Sequence, residues 1–195
     1  FSCVLFDQRN HGKSGKAPTT MGYYESRDLA AVCRWARQRF GDDCLLGTHG
    51  ESMGAATVML HAPTDPRLSF VIEDCGYSDL GDQLSHSMRA AYHLPRWPFL
   101  PLASLLSRLR GGVFFSAVRP ARAVAQCAPR LPMLFIHGAA DDFVPTAMVH
   151  TNYDAKRGKK ALHIFDGSEH ARSWFDHPQQ YASVVKAFLE DNQMI

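Results

Sequence analysis

The feature that most constrains this chain is a short apolar stretch that ends in Gly50-Glu51-Ser52-Met53-Gly54 and runs directly into a segment of small residues. This pattern predicts a strand, a tight turn at Ser52 and then a helix. A serine on such a turn has strained backbone, so we expect Gly50 and Gly54 to remove side chains that would clash with neighbouring backbone. The G-x-S-x-G spacing in this setting is typical of a nucleophile elbow, which presents a reactive serine.

Strand-like and helical patterns alternate along most of the chain. Apolar runs that predict strands lie at residues 1–6, just before the elbow, and at 68–74, 132–137 and 161–165, and helical patterns lie at 24–40, directly after the elbow, and at 146–155 and 178–192. Uninterrupted apolar strands separated by helices are typical of an α/β fold, in which a parallel sheet is covered by helices on both faces. A chain of 195 residues is long enough for one domain, spanning 1–195, with its core in 1–77 and 130–195.

The alternation stops between residues 78 and 129, a segment rich in proline that contains a Gly111-Gly112 pair. A connection of this length between two strands is usually functional. We interpret it as a cap of short helices over the mouth of the site. Its apolar residues either face a substrate or pack the cap onto the core, and they include Trp97, Phe99, Leu100, Leu105, Leu106, Phe114 and Phe115.

Composition excludes several classes of function. The net charge of +2 is spread over interspersed signs, with no basic stripe typical of proteins that bind nucleic acid or an anionic membrane surface. Five scattered cysteines are typical of reduced thiols in a cytoplasmic protein, and no Cys/His spacing indicates a metal. No apolar run reaches the length of a transmembrane helix. The loop Asp7–Gly15 lacks the spacing of a phosphate-binding loop, so we expect no cofactor.

A serine hydroxyl needs a neighbouring base, usually a histidine that is oriented by a carboxylate. The loop after strand 132–137 carries Asp141 and Asp142, and the loop after strand 161–165 carries His170. Because the carboxyl ends of parallel strands meet at one edge of a sheet, these residues could reach Ser52. Asp74, at the end of strand 68–74, is a further possible acid.

Four motifs resemble those of the α/β-hydrolase family, in particular its bacterial esterase, lysophospholipase-like and serine aminopeptidase-like branch. They are Asp7-Gln8-Arg9-Asn10-His11-Gly12-Lys13-Ser14, similar to the family's D-x-R-G-H-G-x-S loop; Gly50-Glu51-Ser52-Met53-Gly54; His137-Gly138-Ala139-Ala140-Asp141 with Val144-Pro145; and Glu169-His170-Ala171. Together they extend over nearly the whole chain, and their order of Ser, Asp and His is the order of that family.

The resemblance implies a role for each residue of the motifs. Ser52 is the nucleophile, His170 is the general base and then the acid, and Asp141, selected by the G-x-x-D spacing from Gly138, orients His170. The backbone N–H of Met53 is one oxyanion donor. The implied activity is a serine hydrolase, esterase or lysophospholipase-like, that acts on a small-molecule carboxylic ester. The apolar residues of the cap segment favour a substrate with an apolar acyl group. The alternatives are a serine aminopeptidase-like peptidase and a non-catalytic scaffold.

The resemblance also implies elements that would precede Phe1. In the family, a strand and an H-G turn upstream of the Asp7 loop supply the second oxyanion donor, and a further strand lies between the first strand predicted here and the elbow strand. On this interpretation the fold is truncated at its N-terminus, as a fragment or as a hydrolase whose first strand pairs directly with the elbow strand. On this interpretation the chain supplies at most one of the two oxyanion donors, and we expect weak catalytic activity or low stability of the fold.

Overall fold

The computed structural model describes residues 2–195 and contains one parallel sheet with strand order β1-β2-β3-β4. The strands are β1 (Gly47–Glu51), β2 (Phe70–Asp74), β3 (Met133–Gly138) and β4 (Lys160–Phe165). The helices are α1 (Glu25–Phe40), α2 (Met53–His61), α3 (Leu80–Tyr92), α4 (Arg96–Gly111), α5 (Pro120–Val124), α6 (Ala147–Ala155), α7 (Ser173–Asp176) and α8 (Pro178–Asp191). Short 3₁₀ turns lie at Ala62–Thr64 and Phe115–Ala117.

Alternate residues of the central strands pack into two hydrophobic cores, one on each face of the sheet. In β3, Met133 and Phe135 pack with α1, α2 and α6, whereas Leu134 and Ile136 pack with α8 on the opposite face. The alternation follows from the period of two along a strand. All six residues of β3 are buried because helices cover both faces of the sheet. The predicted α/β-hydrolase fold class, a parallel sheet flanked by helices, is therefore confirmed.

The first predicted strand is wrong over the described residues 2–6, and Phe1 lies outside them. Residues 2–6 have no regular secondary structure and are exposed, with Leu5 at 94%. Among the described residues, β1 pairs only with β2, so the predicted direct pairing of this segment with the elbow strand is absent. An extended segment gains little stability without a ladder of hydrogen bonds to a neighbouring strand.

The segment predicted as a cap, 78–129, divides into two parts. Helices α3 and α4 contact each other, and α4 leaves most of its surface exposed. In contrast, Val124 of α5 and Cys127 belong to the core beneath α2. The last part of this segment therefore packs with the sheet, and the part that protrudes is α3–α4.

The longest helices among residues 2–195 have 16 residues, and none of these helices is both long and apolar enough to cross a lipid bilayer.

Candidate active site

The turn between β1 and α2 places Ser52 at the carboxyl end of the sheet. Ser52 has φ 53° and ψ −114°, a strained combination for a residue with a side chain. Its N–H donates to the Asp74 carbonyl at the end of β2, which ties the turn to the neighbouring strand. The turn thus holds the serine side chain at the edge where the strand-end loops meet.

Only one of the two motif glycines has the predicted steric role. A Cβ on Gly50 would overlap with the carbonyl of Gly54, so the close approach across the turn requires glycine there. A Cβ on Gly54 would meet no atom within 4 Å outside the backbone of its own helix. The predicted clash at Gly54 is wrong, because its side-chain position meets open space.

The structure brings Ser52, His170 and Asp141 into one hydrogen-bonded series. His170 Nε2 lies 2.8 Å from Ser52 Oγ, and His170 Nδ1 lies 2.7 Å from Asp141 Oδ2. Because an ionised carboxylate can only accept, Nδ1 carries the proton, and Nε2 is left to accept the proton of the serine hydroxyl. The geometry is that of a nucleophile, a base and an orienting acid.

The loop between β3 and α6 holds the Asp141 carboxylate rigidly. Its Oδ1 accepts the backbone N–H groups of Val144 at 2.8 Å and Phe143 at 3.1 Å. Burial raises the pKa of Asp141, but hydrogen bonds from His137, His170 and the Val144 N–H outweigh burial, and the net pKa lies well below its ordinary value. Asp141 is therefore ionised at neutral pH, as an acceptor for the His170 N–H must be.

His137 is a partner of Asp141 that the sequence analysis did not identify. Its Nε2 lies 2.8 Å from the Val144 carbonyl and 3.2 Å from Asp141 Oδ2, and its side chain is fully buried. Since a carbonyl accepts, the Nε2 proton is shared between these two oxygens. The available sequence signal for this contact was the spacing of four residues between His137 and Asp141. That spacing does not by itself predict a contact, because the contact forms only when the loop folds back on the strand.

The other two possible acids do not contact His170. Asp142 is exposed, and its carbonyl accepts from His86 of α3. Asp74 is buried, and burial raises its pKa to about 6, although an interaction with Tyr181 of α8 lowers it. The carboxylate beside His170 is thus that of Asp141.

Met53 places its backbone N–H next to the serine. As the first residue of α2, its N–H has no acceptor within the helix. The positive end of the helix dipole adds to the field at this position. The arrangement can stabilise a negatively charged oxygen that forms beside Ser52.

An exposed aromatic ring lies beside the imidazole of His170. The ring of Phe143 lies 4.8 Å from that of His170 and is 55% exposed. Gln83 of α3 donates to the Phe143 carbonyl at 2.7 Å, so α3 is anchored to the loop that carries Asp141. Trp174 packs edge-on against Tyr181 and lines a cavity of about 800 Å³ between β1 and α8. None of Ser52, Asp141 and His170 lines this cavity.

Two groups within residues 2–195 could each offer three metal ligands. In the first, Cys33, His61 and Asp65 lie together, but Arg37 takes the Asp65 carboxylate at 2.7 Å. In the second, Cys75 joins Asp141 and His170, which are already bonded to each other. Burial raises the pKa of both cysteine thiols, which works against the thiolate that a metal requires.

The sequence of this chain is similar to a family model and to a curated protein. Residues 1–69 match the family model described as alpha/beta hydrolase fold. The chain is 37% identical over 193 residues to the uncharacterized protein YqkD of Bacillus subtilis, and the match covers 98% of this chain and 63% of that protein's length.

Two solved structures have the same fold. The Pyrococcus furiosus esterase Pf2001 superposes with a TM-score of 0.73 at 23% identity, over 95% of this chain and 68% of the esterase. Est1E from Butyrivibrio proteoclasticus, solved with ferulic acid bound, gives 0.73 at 19% identity, over 97% of this chain and 76% of Est1E. With its parallel sheet and the turn at Ser52, the chain has the α/β-hydrolase fold.

Proposed function

We propose that this protein is a serine hydrolase that cleaves carboxylic esters through an acyl-enzyme. The observation that carries the proposal is the hydrogen-bonded series from Asp141 through His170 to Ser52 on a strained turn. A buried acid, an oriented imidazole and a serine at these distances supply the parts of nucleophilic acyl transfer.

In the proposed mechanism, Ser52 Oγ attacks the ester carbonyl carbon while His170 Nε2 takes the hydroxyl proton. The carbonyl oxygen becomes an oxyanion beside the Met53 N–H. The intermediate collapses, the alcohol leaves with the proton from His170, and the acyl group remains on Ser52. Water then attacks the acyl-enzyme with His170 as base, which releases the acid and regenerates the hydroxyl.

In this mechanism Asp141 acts through His170. An ionised carboxylate 2.7 Å from Nδ1 keeps the imidazole in the tautomer that accepts at Nε2, and it stabilises the imidazolium that forms. Two backbone N–H groups and His137 hold this carboxylate in place. His137 is thus a positioning residue.

The surroundings of the site favour a substrate with an apolar acyl group. Phe143 presents an exposed ring beside His170, and α3 is hydrogen-bonded to the loop that carries this ring. We infer that α3–α4 is a cap beside the mouth of the site. The Pyrococcus furiosus esterase of the same fold, and the ferulic acid bound to Est1E, are consistent with an ester substrate.

The acids of α3 and its N-cap do not favour the aminopeptidase alternative. A peptidase of that kind needs a carboxylate that is free to bind the substrate's amine. In α3 and its N-cap, Asp79 pairs with Arg119 at 3.1 Å and Asp82 pairs with Arg96 at 2.6 Å. Both carboxylates are already matched with arginines.

The experiment that tests the proposal is hydrolysis of p-nitrophenyl esters of increasing acyl length by the wild type and by Ser52→Ala. We expect turnover that depends on acyl length and falls by at least about 1000-fold in Ser52→Ala. The control is Ser183→Ala, which removes an exposed hydroxyl from α8. Hydrolysis that is equal in all three proteins would overturn the proposal.

A further inference from the structure

Helix α4 carries a row of exposed leucines on one face. Leu102, Leu105, Leu106 and Leu109, which we call the leucine stripe, are spaced by three and four residues and are 48% to 73% exposed. At about 100° per residue they form one face of the helix. The opposite face, with Leu100 and Ser107, turns toward the protein.

Aromatic side chains extend this apolar surface at the start of the helix. Trp97 is 75% exposed and Phe99 is 40% exposed, and Tyr92, at the end of α3, is 72% exposed. Isolated apolar residues are common on protein surfaces, but several exposed large apolar residues on one helix and at the end of the helix before it are typical of a site of interaction. Tyrosine and tryptophan are also the residues that prefer the boundary between water and lipid.

The charges of α4 select the kind of partner. The segment 96–111 contains Arg96, Arg108 and Arg110 and no acidic residue. Arg96 is paired with Asp82 of α3, whereas no carboxylate among residues 2–195 contacts Arg108 or Arg110. By helical geometry these two arginines lie on opposite sides of the leucine stripe. Although the interspersed charges of the whole chain do not predict binding to an anionic membrane surface, α4 by itself carries a local excess of positive charge.

We propose that α4 is a membrane-surface helix, and that it docks the protein onto a bilayer that contains anionic lipids. In this arrangement the leucine stripe enters the boundary between headgroups and acyl chains, and Arg108 and Arg110 bind the lipid phosphates. A helix with leucine and aromatic residues on one face and flanking arginines has the composition of helices that lie in the membrane interface. The helix rests on the surface and does not span it.

The charges of α4 argue against a second copy of this chain as the partner that covers the leucine stripe. A symmetric pairing of two leucine stripes would bring the arginines of one α4 close to those of the other, without acidic residues on α4 to neutralise them. Anionic headgroups supply the missing negative charge. This inference concerns a surface outside the triad, and it does not depend on the chain being an esterase.

The test is flotation of the purified chain with vesicles of phosphatidylcholine alone and of phosphatidylcholine mixed equally with phosphatidylglycerol. We expect binding to the mixed vesicles that weakens as salt is added. The double variant Leu105→Gln/Leu109→Gln should bind about 10- to 100-fold more weakly, because two apolar side chains no longer leave water. Its control, Trp35→Gln/Phe40→Gln, removes two half-exposed aromatic residues of α1 and should bind like the wild type.

A second pair of variants tests the charges. Arg110→Glu should weaken binding to the mixed vesicles by about fivefold or more, whereas Arg157→Glu, in the exposed loop before β4, should not. Circular dichroism establishes that each variant is folded. The proposal is overturned if the wild type does not float with mixed vesicles, or if the leucine variant floats equally well. It is also overturned if sedimentation shows a dimer that the leucine variant abolishes while vesicle binding is absent.

Discussion

His170 Nδ1 lies 2.7 Å from Asp141 Oδ2, whereas Asp142, the next residue along the chain, is exposed and makes no contact with His170. One position in the loop therefore separates a carboxylate that can orient the imidazole from one that faces solvent. The β3–α6 loop fixes this choice, because Asp141 Oδ1 accepts two backbone N–H groups of the same loop.

The first prediction concerns these two neighbouring acids. Asp141→Asn should lower kcat for ester hydrolysis by about 1000- to 10 000-fold, because an amide in place of the carboxylate favours the wrong imidazole tautomer. Asp142→Asn should leave kcat within about twofold of the wild type. Steady-state kinetics with one p-nitrophenyl ester measures both. Equal losses in the two variants would contradict the assignment.

The second prediction separates the two glycines of the elbow. Gly50→Ala should lower the free energy of unfolding by about 1–3 kcal/mol, since its Cβ overlaps with backbone that must move. Gly54→Ala should keep or raise stability by up to about 1 kcal/mol, because alanine is the better helix former and its Cβ meets open space. Urea unfolding of both variants provides the comparison. If Gly54→Ala were the more damaging change, the geometry of this turn would be wrong.

The third prediction is a pH dependence of stability that originates at Asp74. Burial raises its folded-state pKa to about 6 from an ordinary 3.8, so the folded protein holds a proton that the unfolded chain has lost. This contribution to stability is complete below the unfolded pKa and disappears as the pH rises through the folded pKa. Asp141 acts with the opposite sign and only below its unfolded pKa, outside this window.

Between about pH 4 and 7, we therefore expect the free energy of unfolding of the wild type to fall relative to Asp74→Asn by up to about 3 kcal/mol. Urea titrations across this range measure the difference. The matched control is Asp142→Asn, which changes an exposed carboxylate and should follow the wild type at every pH. Parallel curves for the wild type and Asp74→Asn would show that Asp74 does not carry the effect.

The fourth prediction concerns the five cysteines, which are free and differ in exposure. Cys3 is exposed and Cys44 is half-buried, whereas Cys33, Cys75 and Cys127 are buried. Burial also raises the pKa of Cys33 and of Cys127 to about 11. A disulfide-exchange reagent should therefore modify Cys3 within minutes and Cys44 more slowly, and the other three only after unfolding. Mass spectrometry of timed samples identifies the order, and rapid modification of Cys75 in the folded protein would contradict its burial beside the site.

Sequence patterns were sufficient for the fold class and for the meeting of Ser52, Asp141 and His170. The reason is physical: the carboxyl ends of parallel strands converge, so a residue just after a strand is placed by the strand itself. The same reasoning failed for residues 2–6, which have a strand-like composition but no neighbouring strand among the described residues. Strand composition predicts structure only where a hydrogen-bonding partner exists.

The environment of a side chain was harder to predict from the sequence than the place of its residue in the sheet or in a strand-end loop. Leu105 and Leu106 were expected either to face a substrate or to pack onto the core, and both are about half exposed on the outer face of α4. A helix with apolar residues on opposite faces gives no periodic signal for which face is buried. Likewise, the spacing of four residues between His137 and Asp141 was not sufficient to predict their contact, because that contact depends on the path of the loop.

If Ser52 is an activated nucleophile, it should react with a fluorophosphonate probe. The wild type, Ser52→Ala, His170→Ala and the control Ser183→Ala are treated with the probe, and the modified peptide is located by mass spectrometry. We expect the wild type and Ser183→Ala to carry the label on Ser52, Ser52→Ala to carry none, and His170→Ala to react at least about 100-fold more slowly. A folded wild type that takes up no label, or a label on another residue that persists in Ser52→Ala, would show that Ser52 is not the activated nucleophile.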